Sequence, residues 1–322
     1  MPLDSIRSLV QADLEATDHF ISTELNSHIP LINQMVQYIL SCGGKRIRPL
    51  LVLLSARAFG HADKQHVTLA AAIELIHTAT LLHDDVVDSS TLRRGHETAH
   101  TIWGNEASVL VGDFLYSRAF QLIVQLQNLP VMNIFSSATN LIAEGEVLQL
   151  VNCNDPDTTE SAYYDVIQRK TGKLFEVSSQ LGPTISACSA AEYDAMQKYG
   201  MHLGIAYQLI DDALDYNSSA EEMGKNVGND LAEGKPTLPL IYALRHGTPA
   251  EAQLIRHAIE HGSCEQLDSI IGIIESTGAI EYTANAAKQH ARDANAALKL
   301  IPESPYRKAL HDLAEFVVDR SY

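Results

Sequence analysis

The sequence predicts an all-α protein, and three observations carry that prediction. Apolar residues recur at three- and four-residue spacing along almost the whole chain, the signature of helices with one buried side. No stretch alternates β-branched with polar residues as a half-buried strand would. No run rich in Pro, Gly or Ser divides the chain, so one domain spanning residues 1–322 is expected, although the length alone would allow two.

Taken in order, the first helical run extends from Leu3 to Leu25, with Ile6, Leu9, Val10 and Leu14 at helical spacing, and the second from Leu31 to Leu40. Gly43-Gly44 ends that pattern. Pro49 suits the first turn of a helix through about Phe59, where its missing N–H has no partner to lose. A long apolar helix runs from near His66 to about Asp88, followed by a polar loop with Arg93, Arg94 and Gly95. Gly104 to Leu126 and Val131 to Val151 are the next two helices, separated by Asn128 and Pro130. Asp155-Pro156-Asp157 is a turn, and Thr158-Thr159-Glu160 leads into a helix through about Leu181, which Lys170-Thr171-Gly172-Lys173 interrupts. Ala190 to Tyr216 is another long helix. Met223 to Pro236 is rich in Gly, Asn and Lys and reads as too polar for a core element, and shorter helices fill the rest.

Composition narrows the class. A net charge of −17 argues against nucleic acid or an anionic membrane surface as a partner. Cys42, Cys153, Cys188 and Cys264 show no paired spacing, so neither a zinc site nor a disulfide framework is signalled. The N-terminus is acidic without an apolar targeting segment, and no uninterrupted apolar run reaches membrane-spanning length. A cytoplasmic location without a membrane span is expected.

The chemistry is concentrated in two motifs. Asp84-Asp85-Val86-Val87-Asp88 closes an apolar helix, with Asp84 and Asp88 one turn apart on the same face. Two carboxylates held that close repel each other, and a divalent cation between them would reverse the sign. Ile210-Asp211-Asp212-Ala213-Leu214-Asp215 repeats the pattern, and Gln208 shares its face. Aspartate clusters without His or Cys suit Mg²⁺, which takes carboxylates, waters and substrate phosphates, better than zinc or iron. Cations gather nearby: Lys45, Arg46 and Arg48 behind the Gly43-Gly44 pair, Arg93-Arg94, Lys170 and Lys173 around Thr171-Gly172, then Lys225 and Lys235. A helix N-terminus next to the first cluster favours anions by itself. Two metal faces and two basic clusters suggest two diphosphates, one of them a leaving group.

Two rival readings are open to test. Glu74-Leu75-Ile76-His77 and Glu97-Thr98-Ala99-His100 are both E-x-x-H, as in di-iron carboxylate bundles, with Glu144 or Glu146 and Glu176 as the further ligands that site needs. That scheme leaves six motif aspartates without a role. A non-catalytic partner subunit is the other, and the intact aspartate motifs and basic clusters speak against it.

The motifs GGKRIRP, LLHDDVVDSSTLRRG, GDFLYSRAF, EGEVLQL, KTGKLFE, YQLIDDALDY and GKNVGNDLAEGKPTLPL occur in this order. With them the chain resembles the trans-isoprenyl diphosphate synthases, specifically the long-chain bacterial octaprenyl and solanesyl type that makes quinone side chains. The likeness runs from about Leu3 to Arg320. It implies an isoprenoid-synthase-type helical bundle around a central cavity, a homodimer, and a Mg²⁺-dependent prenyltransferase that condenses isopentenyl diphosphate onto an allylic diphosphate such as farnesyl diphosphate. By the resemblance Asp84, Asp88 and Asp211 ligate about three Mg²⁺ bridged by substrate diphosphate, with Asp85, Asp212 and Asp215 supporting. Arg93, Lys170, Lys225 and Lys235 would grip the allylic diphosphate, while Thr171 and Gln208 would stabilise the developing allylic cation. Lys45, Arg48, His77 and Arg94 would hold isopentenyl diphosphate. His77 taken alone reads as a core histidine, and Ser89-Ser90 is less acidic than the family pattern.

Alternatives within this chemistry are a medium-chain farnesyl or geranylgeranyl diphosphate synthase and a terpene cyclase. Cyclases usually carry an Asn/Ser/Glu second metal motif and need no isopentenyl site, whereas here the second motif is aspartate-rich and GGKRIRP is present. Ala79 and Thr80 lie about one turn before Asp84, where early-stopping synthases carry aromatic rings as a floor. Two small residues there predict that the growing tail passes and stops deeper, giving an octaprenyl or nonaprenyl product.

Overall fold

The computed structural model describes residues 2–217 and 227–319, and the helices within them follow the apolar periodicity closely. The first expected run is two helices, α1 (Leu3–Ser8) and α2 (Gln11–Glu24), because the backbone leaves helical geometry at Val10. Next come α3 (Pro30–Ser41), with Pro30 in its first turn, and α4 (Ile47–Ala58). α5 (Gln65–Val87) is the long apolar helix and ends one residue short of Asp88.

Between Leu92 and Glu97 the expected loop is a two-stranded hairpin, β1 (Leu92–Arg93) paired with β2 (His96–Glu97). Its turn residues, Arg94 and Gly95, have φ of 55° and 77°, the left-handed geometry that matches the twist of a tight hairpin. The short α6 (Ala99–Trp103) precedes α7 (Asn105–Gln125) and α8 (Leu129–Asn152). By length and composition alone α7 is long and apolar enough to cross a membrane, although Glu106, Asp113 and Arg118 break its apolar run. In the fold it packs Val111, Leu115, Ala119, Leu122 and Ile123 into the core.

The predicted helix from Thr158 to Leu181 is interrupted where Lys170-Thr171-Gly172-Lys173 falls. α9 (Glu160–Ile167) widens into a π-helical turn at Gln168–Gly172 and resumes as α10 (Lys173–Thr184). α10 is the axis of the bundle, buried continuously from Leu174 to Pro183. It is wedged between α4, α5 and α11 (Ala190–Leu214). Absent side chains make this approach possible. A Cβ on Gly204 of α11 would stand 2.8 Å from the Cα of Gly172. On the other side the Ser55 hydroxyl of α4 donates to the Ser179 carbonyl at 2.6 Å.

The remaining helices are α12 (Asn229–Ala232), α13 (Leu238–His246), α14 (Pro249–His261), α15 (Leu267–Ser276), α16 (Ala279–Ala297) and α17 (Pro305–Val318). Leu231, Leu240, Ile255, Ile259, Ile270 and Ile274 form a second apolar cluster. α16 belongs to both clusters, with Ala279 in the second and Ala287, Ala291 and Ala294 in the first. The segment expected to be too polar for the interior is a correction: Leu231, Gly234, Lys235 and Pro236 are buried. Its polar groups pair with one another and with α5, which removes the desolvation penalty that hydropathy alone charges to them. Residues 218–226, Lys225 among them, lie outside the described residues.

Candidate active site

Helices α5 and α11 both end at their aspartates, with Asp88 and Asp215 as the C-terminal caps. A helix C-terminus is the negative end of its dipole, so each motif adds carboxylates where the potential is already negative. Both ends open into one cavity of about 1090 Å³, whose wall includes Asp84, Asp88, Asp211 and Asp215. The π turn, α8 and the segment after α12 close its other sides.

At the α5 end, ammonium groups stand against the acids. Lys170 Nζ lies 3.4 Å from Asp84 and donates to Glu146 at 2.5 Å and to Gln149 at 2.8 Å. Lys235 Nζ donates to Asp88 at 2.7 Å and to Glu233 at 2.5 Å. Asp85 points away from this pair, buried, and receives Arg93 through Nε at 2.7 Å and Nη2 at 2.6 Å. Burial pulls the Arg93 and Lys235 pKa values down, but the neighbouring carboxylates outweigh it and both are held above their ordinary values. Burial pushes Glu146 up to about 7, with Lys170 only partly opposing it.

At the α11 end the side chains that donate to Asp212 are neutral. Thr171 donates to the Gln208 carbonyl oxygen at 2.8 Å, the Gln208 amide donates to Asp212 at 2.7 Å, and the Tyr163 hydroxyl donates to the other Asp212 oxygen. Burial first, then Asp230, pushes the Asp212 carboxyl up to about 8. Asp215 accepts the backbone N–H of Asp230 at 3.1 Å. The predicted Thr171–Gln208 pair is thus one link in a four-residue chain that orients both side chains toward the cavity.

The third side is cationic. Arg46 starts α4 in left-handed geometry, and the Arg94 guanidinium donates to the Gly43 carbonyl in the space that a side chain on Gly44 would occupy. Arg48 stacks over Phe175, 4.5 Å from guanidinium carbon to ring centre, and its Nη1 is 3.1 Å from His77 Nε2. Burial, then Arg48, Arg94 and Arg93, holds His77 well below its ordinary pKa, so the neutral ring can accept from Arg48. The buried Arg48 Nε has no hydrogen-bond partner among the described residues. A cation with an unsatisfied donor beside Lys45 and Arg94 on one cavity wall suits an anion.

Of the predicted residues, Asp84, Asp88, Asp211, Lys170, Thr171, Gln208, Lys235, Lys45, Arg48, His77, Arg93, Arg94 and Thr80 all line this cavity. Ala79 does not; it is fully buried in the main core, and Thr80 and Leu81 form that part of the wall. The di-iron set is not assembled. Glu97 is exposed on β2, Glu144 is held 2.9 Å from Arg169, and Glu176 lies 2.6 Å from Lys173. Gln149, Tyr163, Asp230 and Glu233 join the site with no role expected for them from the sequence, and Glu146, expected only as an iron ligand, stands against Lys170. Glu146 with Gln149, and Asp230 with Glu233, each sit three apart on one helix, a polar spacing that could have flagged both pairs.

An all-oxygen donor set on two opposed faces fits Mg²⁺. The lysines resting on Asp84 and Asp88 show that cations are stable at those positions.

The pattern of the Polyprenyl synthetase family matches residues 29–274. The chain is 51% identical to an octaprenyl diphosphate synthase of Escherichia coli (strain K12), over 99% of each chain. It is 45% identical to an all-trans-nonaprenyl-diphosphate synthase of Rhodobacter capsulatus, over 97% of this chain and 96% of that one. Among solved structures it is similar to a polyprenyl synthase from Caulobacter crescentus complexed with calcium and isoprenyl diphosphate. The TM-score there is 0.95 at 42% identity, covering 99% of this chain and 98% of that one.

Proposed function

The chain belongs to the polyprenyl synthetase family, and from that premise we propose how its own residues divide the work. It is a long-chain trans-polyprenyl diphosphate synthase, a prenyltransferase of a generally Mg²⁺-dependent family. The observation that carries the residue assignment is the pair of carboxylate faces opposed across one cavity whose third wall is cationic.

Asp84 and Asp88 on one side and Asp211 on the other would hold about three Mg²⁺, which when bound neutralise charge on a departing diphosphate. Lys170, Lys235 and Arg93 take the allylic diphosphate, and Lys225 belongs to the same proposal. Lys170 and Lys235 turn from the carboxylates they now contact onto phosphate oxygens. Thr171 and Gln208 present oxygens to the allylic carbon as positive charge develops there. Lys45, Arg48, Arg94 and neutral His77 orient isopentenyl diphosphate so that its double bond faces that carbon. Glu146, Gln149 and Glu233 act through the lysines they hold, as positioning residues. Loss of a proton, taken up by the released diphosphate, completes each five-carbon addition.

Farnesyl diphosphate as starter, an octaprenyl or nonaprenyl product, and use in a quinone side chain are part of the same proposal. So are a cytoplasmic location and a single domain, which α16 supports by joining both apolar clusters. A homodimer is supported by exposed Leu110 and Val124 on α7 and by Val147, Leu150 and Val151 on α8. We place the length-setting face on α5 at Ala79 and Thr80. Chromatography of labelled product from farnesyl diphosphate, isopentenyl diphosphate and Mg²⁺ tests the reaction. Octaprenyl or nonaprenyl diphosphate is expected, and a cyclised hydrocarbon formed without isopentenyl diphosphate would overturn it. Ala79→Tyr should shorten the product to farnesyl or geranylgeranyl length while sparing the first condensation, because the ring overpacks the path of the tail and leaves the metal face alone. Full-length product at a normal rate from that variant would place the tail elsewhere.

A further inference from the structure

α4 and α5 both meet the cavity at one end, and the turn that joins them lies at the other, some ~30 Å from Asp84 at ~1.5 Å per residue. His61 and Asp63 sit in that turn and His66 in the first turn of α5. One ligand atom from each of the three lies within 4.8 Å of the others. His61 and His66 are 9% and 2% exposed, so the ring nitrogens are nearly shut off from water, while the Asp63 carboxylate reaches solvent.

Ordinary capping explains part of this cluster. Asp63 accepts the Gln65 N–H at 2.7 Å, which caps α5, and its Oδ1 also lies 2.5 Å from His61 Nε2. Capping does not explain His66. Neither of its ring nitrogens makes a hydrogen bond among the described residues, although Nε2 comes within 3.1 Å of Asp13 Oδ1. Asp13, on α2, is already engaged by Arg57 at 2.6 and 2.8 Å, and Arg57 also donates to the His61 carbonyl at 3.2 Å. A buried imidazole set against Asp13 through Nε2, with no partner at Nδ1 among the described residues and a second histidine and a carboxylate beside it, is a polar group with room for one more partner.

We propose that His61, Asp63 and His66 form a binding site for a zinc-class divalent ion, separate from the aspartate faces. Two imidazole nitrogens and one carboxylate, with water in the fourth position, suit Zn²⁺ and its tetrahedral substitute Co²⁺. Mg²⁺ is excluded from it by the imidazoles. Asp13 supplies the outer carboxylate that orients a metal-bound histidine. On binding, the hydrogen between His61 Nε2 and Asp63 gives way to the ion, a neutral ring carrying its proton on Nδ1 instead, and the two ligand atoms separate to the edge of the coordination tetrahedron. The ion would pin α2 to the α4–α5 turn, a structural role that leaves prenyl transfer untouched.

A competing cluster, His257, Glu260 and His261, is fully exposed on the single helix α14 and serves as the control. Full-length protein stripped with EDTA and held in saturating Mg²⁺ is titrated with Zn²⁺ by calorimetry, and with Co²⁺ by visible absorption. The expected result is one Zn²⁺ per chain bound in competition with excess Mg²⁺, a tetrahedral Co²⁺ band, and a raised Tm. All three should persist in the double variant His257→Ala/His261→Ala. His61→Gln and Asp63→Ala should each weaken binding by about tenfold or more. Asp63 is exposed, so its variant retains the fold, checked by circular dichroism, and an unchanged product profile separates this site from the cavity. Binding that disappears in the α14 double variant, or that is unmoved by Asp63→Ala and His61→Gln, overturns the proposal, as does the absence of any Zn²⁺ binding.

Discussion

At the end of α5 the aspartates are met by ammonium groups, and at the end of α11 the most buried aspartate is met by a hydroxyl and an amide. Lys170 and Lys235 stand at Asp84 and Asp88; Tyr163 and Gln208 stand at Asp212. Two sequence motifs that look interchangeable are therefore kept in the fold by different means: charge compensation at Asp84 and Asp88, and at Asp212 burial that shifts the carboxyl upward, opposed in part by the hydrogen bonds from Tyr163 and Gln208. On the proposed assignment the α5 end gives up its lysines when metal binds. The α11 end is a stiff support, where a network of short-range bonds fixes Gln208 and Thr171.

The largest effects test what the two ends share. Asp84→Ala and Asp211→Ala should each lower kcat roughly 10²–10⁴-fold with helical circular dichroism intact, since several kcal/mol of charge stabilisation depends on each metal face. Near-normal turnover in either variant would sink the assignment for that face.

Lys235→Met separates the ends. It strips Asp88 and Glu233 of their shared partner, so the metal-free protein should lose about 3–5 kcal/mol as measured by urea unfolding, with Mg²⁺ restoring part of it. A loss that Mg²⁺ leaves unchanged would mean that Asp88 does not exchange lysine for metal.

The pH dependence separates them by sign. Asp212, raised to about 8, binds a proton in the folded state that the unfolded chain gives up near its ordinary value of 3.8. Its contribution is fully present below the unfolded value and is lost as pH rises through about 8. Lys235 is raised above 10.5, so its contribution stays constant until strongly alkaline pH. Between pH ~6 and ~8.5 wild type should therefore lose stability relative to Asp212→Asn, whereas the Lys235→Met difference should stay flat. Comparing with Asp212→Asn cancels the slope due to Glu146. Parallel curves for wild type and Asp212→Asn would remove the buried proton from the account.

Tyr163→Phe is the smallest change. It deletes one donor to Asp212 and should cost about 1 kcal/mol in stability, with turnover reduced only a few-fold. A loss as large as that of Asp211→Ala would make Tyr163 part of the reaction rather than of the support.

The two aspartate faces were legible in the sequence because helical spacing dictates which side chains share a face, and Asp84 with Asp88 needs nothing beyond the pitch. The interruption at Lys170-Thr171-Gly172 was legible too, but not its form, since a π turn has no composition of its own. Lys235 was harder. A stretch of Gly, Asn and Lys reads as surface, and its burial depends on Asp88, which is 147 residues away along the chain. The hairpin escaped notice because two-residue strands are too short for alternation to register. Asp85 looked like a supporting metal ligand, and only the fold reveals that it holds Arg93.

The wide turn at Gln168–Gly172 has a consequence for what the gene can tolerate. A π turn takes up one residue more than the α path it replaces. Deleting any one of these five residues would let the backbone run as a regular helix from Glu160 to Thr184, locally an easier structure. The same deletion would leave α9 and α10 nearly in register, since the wide turn alone absorbs the extra residue, but would re-aim the side chains within it. Lys170 would turn from Asp84 and Glu146, or Thr171 from Gln208. The turn is thus a spacer whose length is counted, because its number of residues decides which side chains reach the cavity.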